Sequence, residues 1–284
     1  MTLPRLFAGL GTGIIVLSFA SIIIRLLPLP SLVIAAGRLG LASVILAPLF
    51  WFRVGRRIVE LRRVSWGLVL LSGILLAAHF GLWIESLQRT SVASSVMLVA
   101  LNPIFVAVLA PLLLKERLNW RLGLAVALGA VGAVVISLPR LQSPGSTLGN
   151  LLAVGGAVCA AGYLLAGRRI RPGLSLVSYI YIVYTISAIM LIGVALLTGE
   201  RFTGFRPQVY GLLLLLAVGP QLVGHTSLNW ALRYLKAPVV AMAVMGEPIG
   251  ATILAWLILG QGPTLWEVLG GAIVCTGIYL AATS

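Results

Sequence analysis

The sequence predicts an all-α integral membrane protein, with ten transmembrane helices forming two five-helix repeats of inverted topology. Three observations carry that prediction. Of 284 residues, 60% are apolar and only 9% charged, too little polar surface to cover a water-soluble domain of this size. The apolar residues fall into ten runs near the roughly 20 residues that cross a bilayer. Residues 87–135 also match residues 232–280 at a constant offset of 145, without a gap.

Span 1 (6–25) follows Arg5 and has the look of a signal peptide, but it is long for one and nine more spans follow it. Its "GLGTG" (9–13) has no preceding strand and no acidic ribose partner, which excludes a nucleotide loop. It carries hydroxyls and no acid. Span 2 (31–52) holds Arg38, and the basic loop "RVGRRIVELRR" (53–63) follows it. Span 3 (66–86) places His79 at mid-depth, Trp83 four residues on along the same face, and Glu85 near its end. Span 4 (91–114) is interrupted at Asn102-Pro103, and span 5 (121–138) is rich in glycine. Span 6 (147–167) carries Cys159 and Tyr163, and span 7 (176–197) follows. Span 8 (209–232) ends near His225, Asn229 and Trp230, while span 9 (237–260) is interrupted at Glu247-Pro248. Span 10 (264–282) again carries spaced glycines, and Cys275. Both cysteines read as small packing residues, so neither a disulfide nor a metal site is expected.

The net charge of +14 is scattered over short loops, not gathered on one soluble face, which argues against a nucleic-acid partner. With the N-terminus inside, fourteen basic residues fall on the cytoplasmic side and five on the other, Arg38 lying within a span. That asymmetry places both termini in the cytoplasm, in the cell's inner membrane.

The repeat pairs Pro103 with Pro248, Met97 with Met242 and Gly132 with Gly277. It divides the chain into units of 1–142 and 143–284. Five spans is an odd number, so the second unit enters the membrane upside down, the arrangement of secondary transporters whose site lies at the midplane between broken helices. Each proline sits ~15 Å deep at about 1.5 Å per residue. Each also frees one carbonyl, of Val99 or Val244, for another donor.

Two blocks, "SLQRTSVASSVMLVALNPIFVAVLAPLLLKERLNWRLG" (86–123) and "ALRYLKAPVVAMAVMGEPIGATILAWLILGQG" (231–262), resemble the paired EamA units of ten-helix exporters in the drug/metabolite transporter superfamily. The second block ends in Gly260-Gln261-Gly262 where that family has Gly-Glu-Arg. The resemblance implies export of small metabolites by alternating access, around a cavity enclosed by spans 1–4 and 6–9, with spans 5 and 10 peripheral. Close members include exporters of amino acids, aromatic ones among them. Amino acids are therefore the leading cargo, with purines, drugs or organic cations as alternatives.

The polar residues each admit more than one role. His79 and Trp83 can present an imidazole and an indole to a planar ligand, or pack between helices. Glu247, the lone carboxylate expected at mid-membrane, can be a protonated packing group, an ammonium acceptor or a proton carrier. Asn102, its counterpart, is neutral and both donates and accepts. Arg38 is expected to form an ion pair with Glu85, with carboxylate recognition as the other reading. Tyr163 is a further candidate for the substrate site; Asn229 and Trp230 read as ligands or as gate residues near the cytoplasmic mouth. Spaced glycines in spans 5 and 10 favour close packing, within the chain or in a homodimer. An integral-membrane enzyme is the competing class, but the chain has no aspartate, no nucleophile motif and no metal-ligand cluster. No cofactor is expected; the partners are a small-molecule substrate and the lipid bilayer.

Overall fold

A computed structural model describes residues 3–54, 61–62, 64–90, 92–116, 118–137, 147–259 and 263–283. Most of the basic 53–63 loop, Arg117, Arg140 and the Gly260-Gln261-Gly262 ending lie outside the described residues, as does the expected boundary between the two units. The described residues are helical throughout, without strands. In chain order they form α1 (Leu3–Leu17), α2 (Ala20–Leu26), α3 (Ser31–Val54), α4 (Trp66–Arg89), α5 (Val92–Val99), α6 (Asn102–Leu114), α7 (Trp120–Ser137) and α8 (Thr147–Ile170). Then come α9 (Leu176–Leu197), α10 (Pro207–Leu216), a π-helical segment (Ala217–His225), α11 (Thr226–Ala231), α12 (Ala237–Val244), α13 (Gly246–Leu259) and α14 (Leu265–Ala282).

Eight helical runs are long and apolar enough to cross a membrane. The two other expected spans, α7 and α14, are apolar but shorter, over Trp120–Val135 and Val268–Ala282. Four of the expected spans are interrupted. Span 1 breaks at Ser18-Phe19, span 4 between Val99 and Asn102, and span 9 at Met245, while span 8 widens into the π-helical segment containing Pro220. At both mid-span breaks the proline stands in the first turn of the new helix, where its missing N–H removes no helix bond.

Glycines set the close approaches. A Cβ on Gly13 would lie 1.6 Å from Ser227 Oγ, and one on Gly9 2.9 Å from the Trp230 ring, so α1 runs antiparallel against α11 at near-backbone distance. In the same way Gly156 lets α8 approach Trp83, and Gly149 lets it approach Thr90, making α8 antiparallel to α4. Helices α7 and α14 also pair antiparallel: Gly277 meets the backbone of Ala125 and Gly129, and Gly132 that of Gly270. The glycines read from sequence as general packing devices are thus divided. Gly129, Gly132 and Gly277 serve contacts within the chain, whereas Gly123 and Gly271 face open space. Around the outside the apolar side chains stay uncovered, among them Phe52 at 96% and Leu197 at 89% exposure, as a lipid-facing surface requires.

Candidate functional site

The broken helices converge on a cavity of about 30 Å³. Val99 and Asn102 flank the first break and line it, and Val244 and Glu247 do the same across the second. His79 and Trp83 from α4, Tyr163 from α8 and His225 from the π-helical segment complete its polar wall. The structure therefore brings together the five residues His79, Trp83, Asn102, Tyr163 and Glu247 that sequence reasoning assigns to the substrate. That volume accommodates about two water molecules, at roughly 15 Å³ of probe-occupied space each.

Local geometry fixes each wall residue. His79 Nδ1 lies 3.0 Å from the Gly156 carbonyl, which fits a ring protonated at Nδ1 and donating to that oxygen. Its ring is nearly parallel to that of Trp83, at 8° with centroids 6.0 Å apart. The break itself, not the missing N–H of Pro103, leaves the Val99 carbonyl at a helix end, and it accepts from Asn102 Nδ2 at 3.3 Å. Asn102 thus satisfies the acceptor that the break frees, while its Oδ1 is buried with no partner among the described residues. The Glu247 carbonyl accepts from Ser18 Oγ at 3.3 Å. Three helix interruptions consequently meet around one cavity.

A polar column leaves the cavity toward the face that carries the N-terminus. Tyr163 Oη donates to Asn229 Oδ1 at 2.7 Å, and Asn229 Nδ2 donates to the His225 carbonyl at 2.9 Å. The Asn229 carbonyl accepts from Arg171 Nε at 2.9 Å. Arg171 also donates to the Leu174 carbonyl; burial lowers its pKa to about 10, the neighbouring Tyr179 hydroxyl pulling the other way. Beyond it, Arg168 Nε meets Glu116 Oε1 at 2.6 Å, and Glu116 Oε2 accepts from the Ala237 N–H at 3.1 Å. One carboxylate thus ties α6, α8 and the first turn of α12 together. Asn229 and Trp230, paired in the sequence reading, have separate roles: Asn229 is the buried hub of the column, whereas Trp230 packs on Gly9 and edge-on against Tyr234.

The expected Arg38–Glu85 ion pair does not form. Glu85 bonds Arg89 Nε at 2.5 Å and accepts from Ser31 Oγ. Arg38 lies seven residues beyond Ser31 on the same helix, ~10 Å deeper at 1.5 Å per residue. It donates instead to Gln221 Oε1 at 2.6 Å and stacks over Phe80, its Cζ 4.2 Å from the ring centroid. Sequence reasoning missed Gln221, yet Pro220-Gln221 repeats the proline-plus-polar signal of the other two mid-span breaks. It missed the Glu116–Arg168 tie as well, because loop-end charges look alike before the fold pairs them.

On the opposite face Arg25 Nη2 donates to the Thr90 carbonyl at 2.9 Å, Gln88 Nε2 to that of Leu29 at 2.9 Å, and Thr90 Oγ1 to Asn150 Oδ1 at 3.0 Å. Among the described residues no cluster of three or more His, Cys, Asp or Glu can hold a metal, and Cys159 and Cys275 are free.

The profile of the EamA-like transporter family matches residues 6–138 and again 147–283. The chain belongs to the EamA-like transporter family. It is a multi-pass membrane protein of a family named for transport. Among similar proteins is the uncharacterized transporter YyaM of Bacillus subtilis, 24% identical over 255 residues, covering 87% of this chain and 83% of that protein. The riboflavin transporter of Brucella anthropi is 25% identical over 260 residues, covering 89% and 88%. A solved crystal structure shares the fold, with a TM-score of 0.75 at 18% identity over 96% of this chain and 94% of the other.

Proposed function

We propose that this EamA-like transporter is a secondary exporter of small metabolites, amino acids foremost and aromatic ones among them, working by alternating access between two inverted five-helix units, 1–142 and 143–284. The observation that carries the reading is the cavity between equivalent helix breaks, where Trp83 Nε1, Asn102 Oδ1 and His225 Nδ1 are buried without a partner among the described residues. Buried polar atoms are ordinarily hydrogen-bonded, so a substrate that enters this volume finds donors and an acceptor already oriented. Symmetry in the packing supports the inverted units. The antiparallel pairing of α8 with α4 has a counterpart in that of α1 with α11, and α7 pairs with its own counterpart α14.

Fourteen basic residues against five support a cytoplasmic position for the Glu116–Arg168 face in an inner-membrane protein. The cavity is far smaller than the roughly 300–1,000 Å³ of a ligand site, so it represents the closed form, and loading requires the cytoplasmic ties to part. In proteoliposomes, counterflow of tryptophan or phenylalanine is the expected result, weakened by Trp83→Ala. Vesicles that exchange none of the amino acids, purines or dyes in a panel, at any imposed pH gradient, would refute transport of this class. A second reading, a planar heteroaromatic cargo such as a flavin, is favoured by the parallel His79 and Trp83 rings and by the similarity to a riboflavin transporter; the same panel, with riboflavin added, separates the two.

A further inference from the structure

Arg38 is, with Arg171, one of two fully buried arginines among the described residues, at 0% exposure. Its Nε is committed to Gln221, but Nη1 and Nη2 are both buried without a hydrogen-bond partner among the described residues. A guanidinium has five N–H donors in a fixed planar fork, and here the whole Nη1/Nη2 edge is left over. Such an edge matches the two oxygens of one carboxylate, in parallel N–H···O bonds. Nature rarely leaves a charge in this condition, since an intramembrane cation pairs or serves a ligand; Glu85, the acid nearest in sequence, is engaged elsewhere, and Glu247, whose charge acts on Arg38, forms no hydrogen bond or salt bridge with it among the described residues.

The surroundings also read as a built site. Phe80 supports the guanidinium on its face, and the same ring touches His79 and His225, at centroid distances of 4.8 and 5.0 Å; both imidazoles line the cavity. Arg38 therefore stands one aromatic layer behind the cavity wall. Gln221, its anchor, belongs to the π-helical segment, a local widening that is frequent at functional sites.

We propose that Arg38, held by Gln221 and screened by Phe80, receives the carboxylate of the transported substrate, so that this protein carries organic acids or zwitterions and not simple amines. The inference rests on the transport reading above and names the group that selects its cargo. Glu247, on the cavity wall, would then take the ammonium group borne by the same carbon as that carboxylate.

The test titrates purified wild-type protein with L-phenylalanine and with L-phenylalaninamide, which differ only at the carboxyl group. The acid is expected to bind about tenfold tighter or more, as a bidentate charged pair warrants. Gln221→Glu, close to isosteric, supplies a permanent carboxylate beside Arg38 and should erase that preference, leaving affinity for the amide nearly unchanged. Arg38→Lys keeps the charge without the fork and should fall in between. Equal wild-type affinities, no binding of either probe, or a Gln221→Glu protein that still prefers the acid would each overturn the inference; the wild-type comparison decides even if a variant does not fold. Flux in sealed vesicles is read separately. Acid-selective binding without flux removes the transport reading and leaves the Arg38 site, whereas flux that ignores the carboxyl group does the reverse.

Discussion

Glu247 and Asn102 occupy corresponding positions on the two breaks and face one cavity, yet only Glu247 can ionise, so the pair cannot act as two equal charges. If Glu247 accepts the ammonium group of the cargo, Glu247→Gln keeps the shape and weakens cationic or zwitterionic substrates by about 1–3 kcal/mol, the usual scale of a charged hydrogen bond. Competition in counterflow measures this, and a glutamine variant with unaltered affinity for every cargo returns Glu247 to a packing role. Trp83 carries a different expectation. Its indole lies beside the His79 imidazole, its N–H without a partner among the described residues, so Trp83→Ala should reduce flux of aromatic substrates more than of small ones, through lost stacking area. A uniform loss of flux accompanied by a large fall in melting temperature would mark it as a packing residue instead.

Among the elements, the glycine contacts allow a matched comparison. Gly132→Ala drives a methyl group to within 2.7 Å of the Gly270 carbonyl and should separate α7 from α14, destabilising the protein by about 1–3 kcal/mol. Gly123→Ala, in open space on the same helix, should be neutral or stabilise by about 0.5–1 kcal/mol. Thermal unfolding in detergent distinguishes them, and equal effects would contradict the described contact. Eight of the ten expected spans, the two proline breaks and the convergence of His79, Trp83, Asn102, Tyr163 and Glu247 on one cavity were legible in the sequence, because apolar run length and mid-span polar residues translate directly into depth. What was not legible is lateral: depth along a helix says nothing of which neighbour a side chain turns toward. Arg38 was thus assigned to Glu85, on the next span, when its partner Gln221 is 183 residues away. The same blindness hid Glu116, whose contacts with Arg168 and Ala237 join segments remote in sequence.

For the whole molecule, charge asymmetry makes a direct prediction of orientation. After removal of Cys159 and Cys275, a cysteine replacing exposed Arg201 should react with an impermeant thiol reagent in intact cells, and one replacing exposed Arg233 should react only after the membrane is opened; the opposite pattern would invert the assigned topology. Ties on both faces flank the cavity between the helix breaks, which has room for about two waters. A file of water molecules conducts protons, and one elementary charge crossing a membrane at 100 mV releases about 2.3 kcal/mol. A cavity this small, between the Arg25–Thr90 tie on one face and the Glu116–Arg168 tie on the other, holds too few waters to form a long file of its own. Under the alternating-access reading proposed above, such a resting state would insulate an energised membrane, and turnover would be set by how often the buried ties release rather than by diffusion through a pore.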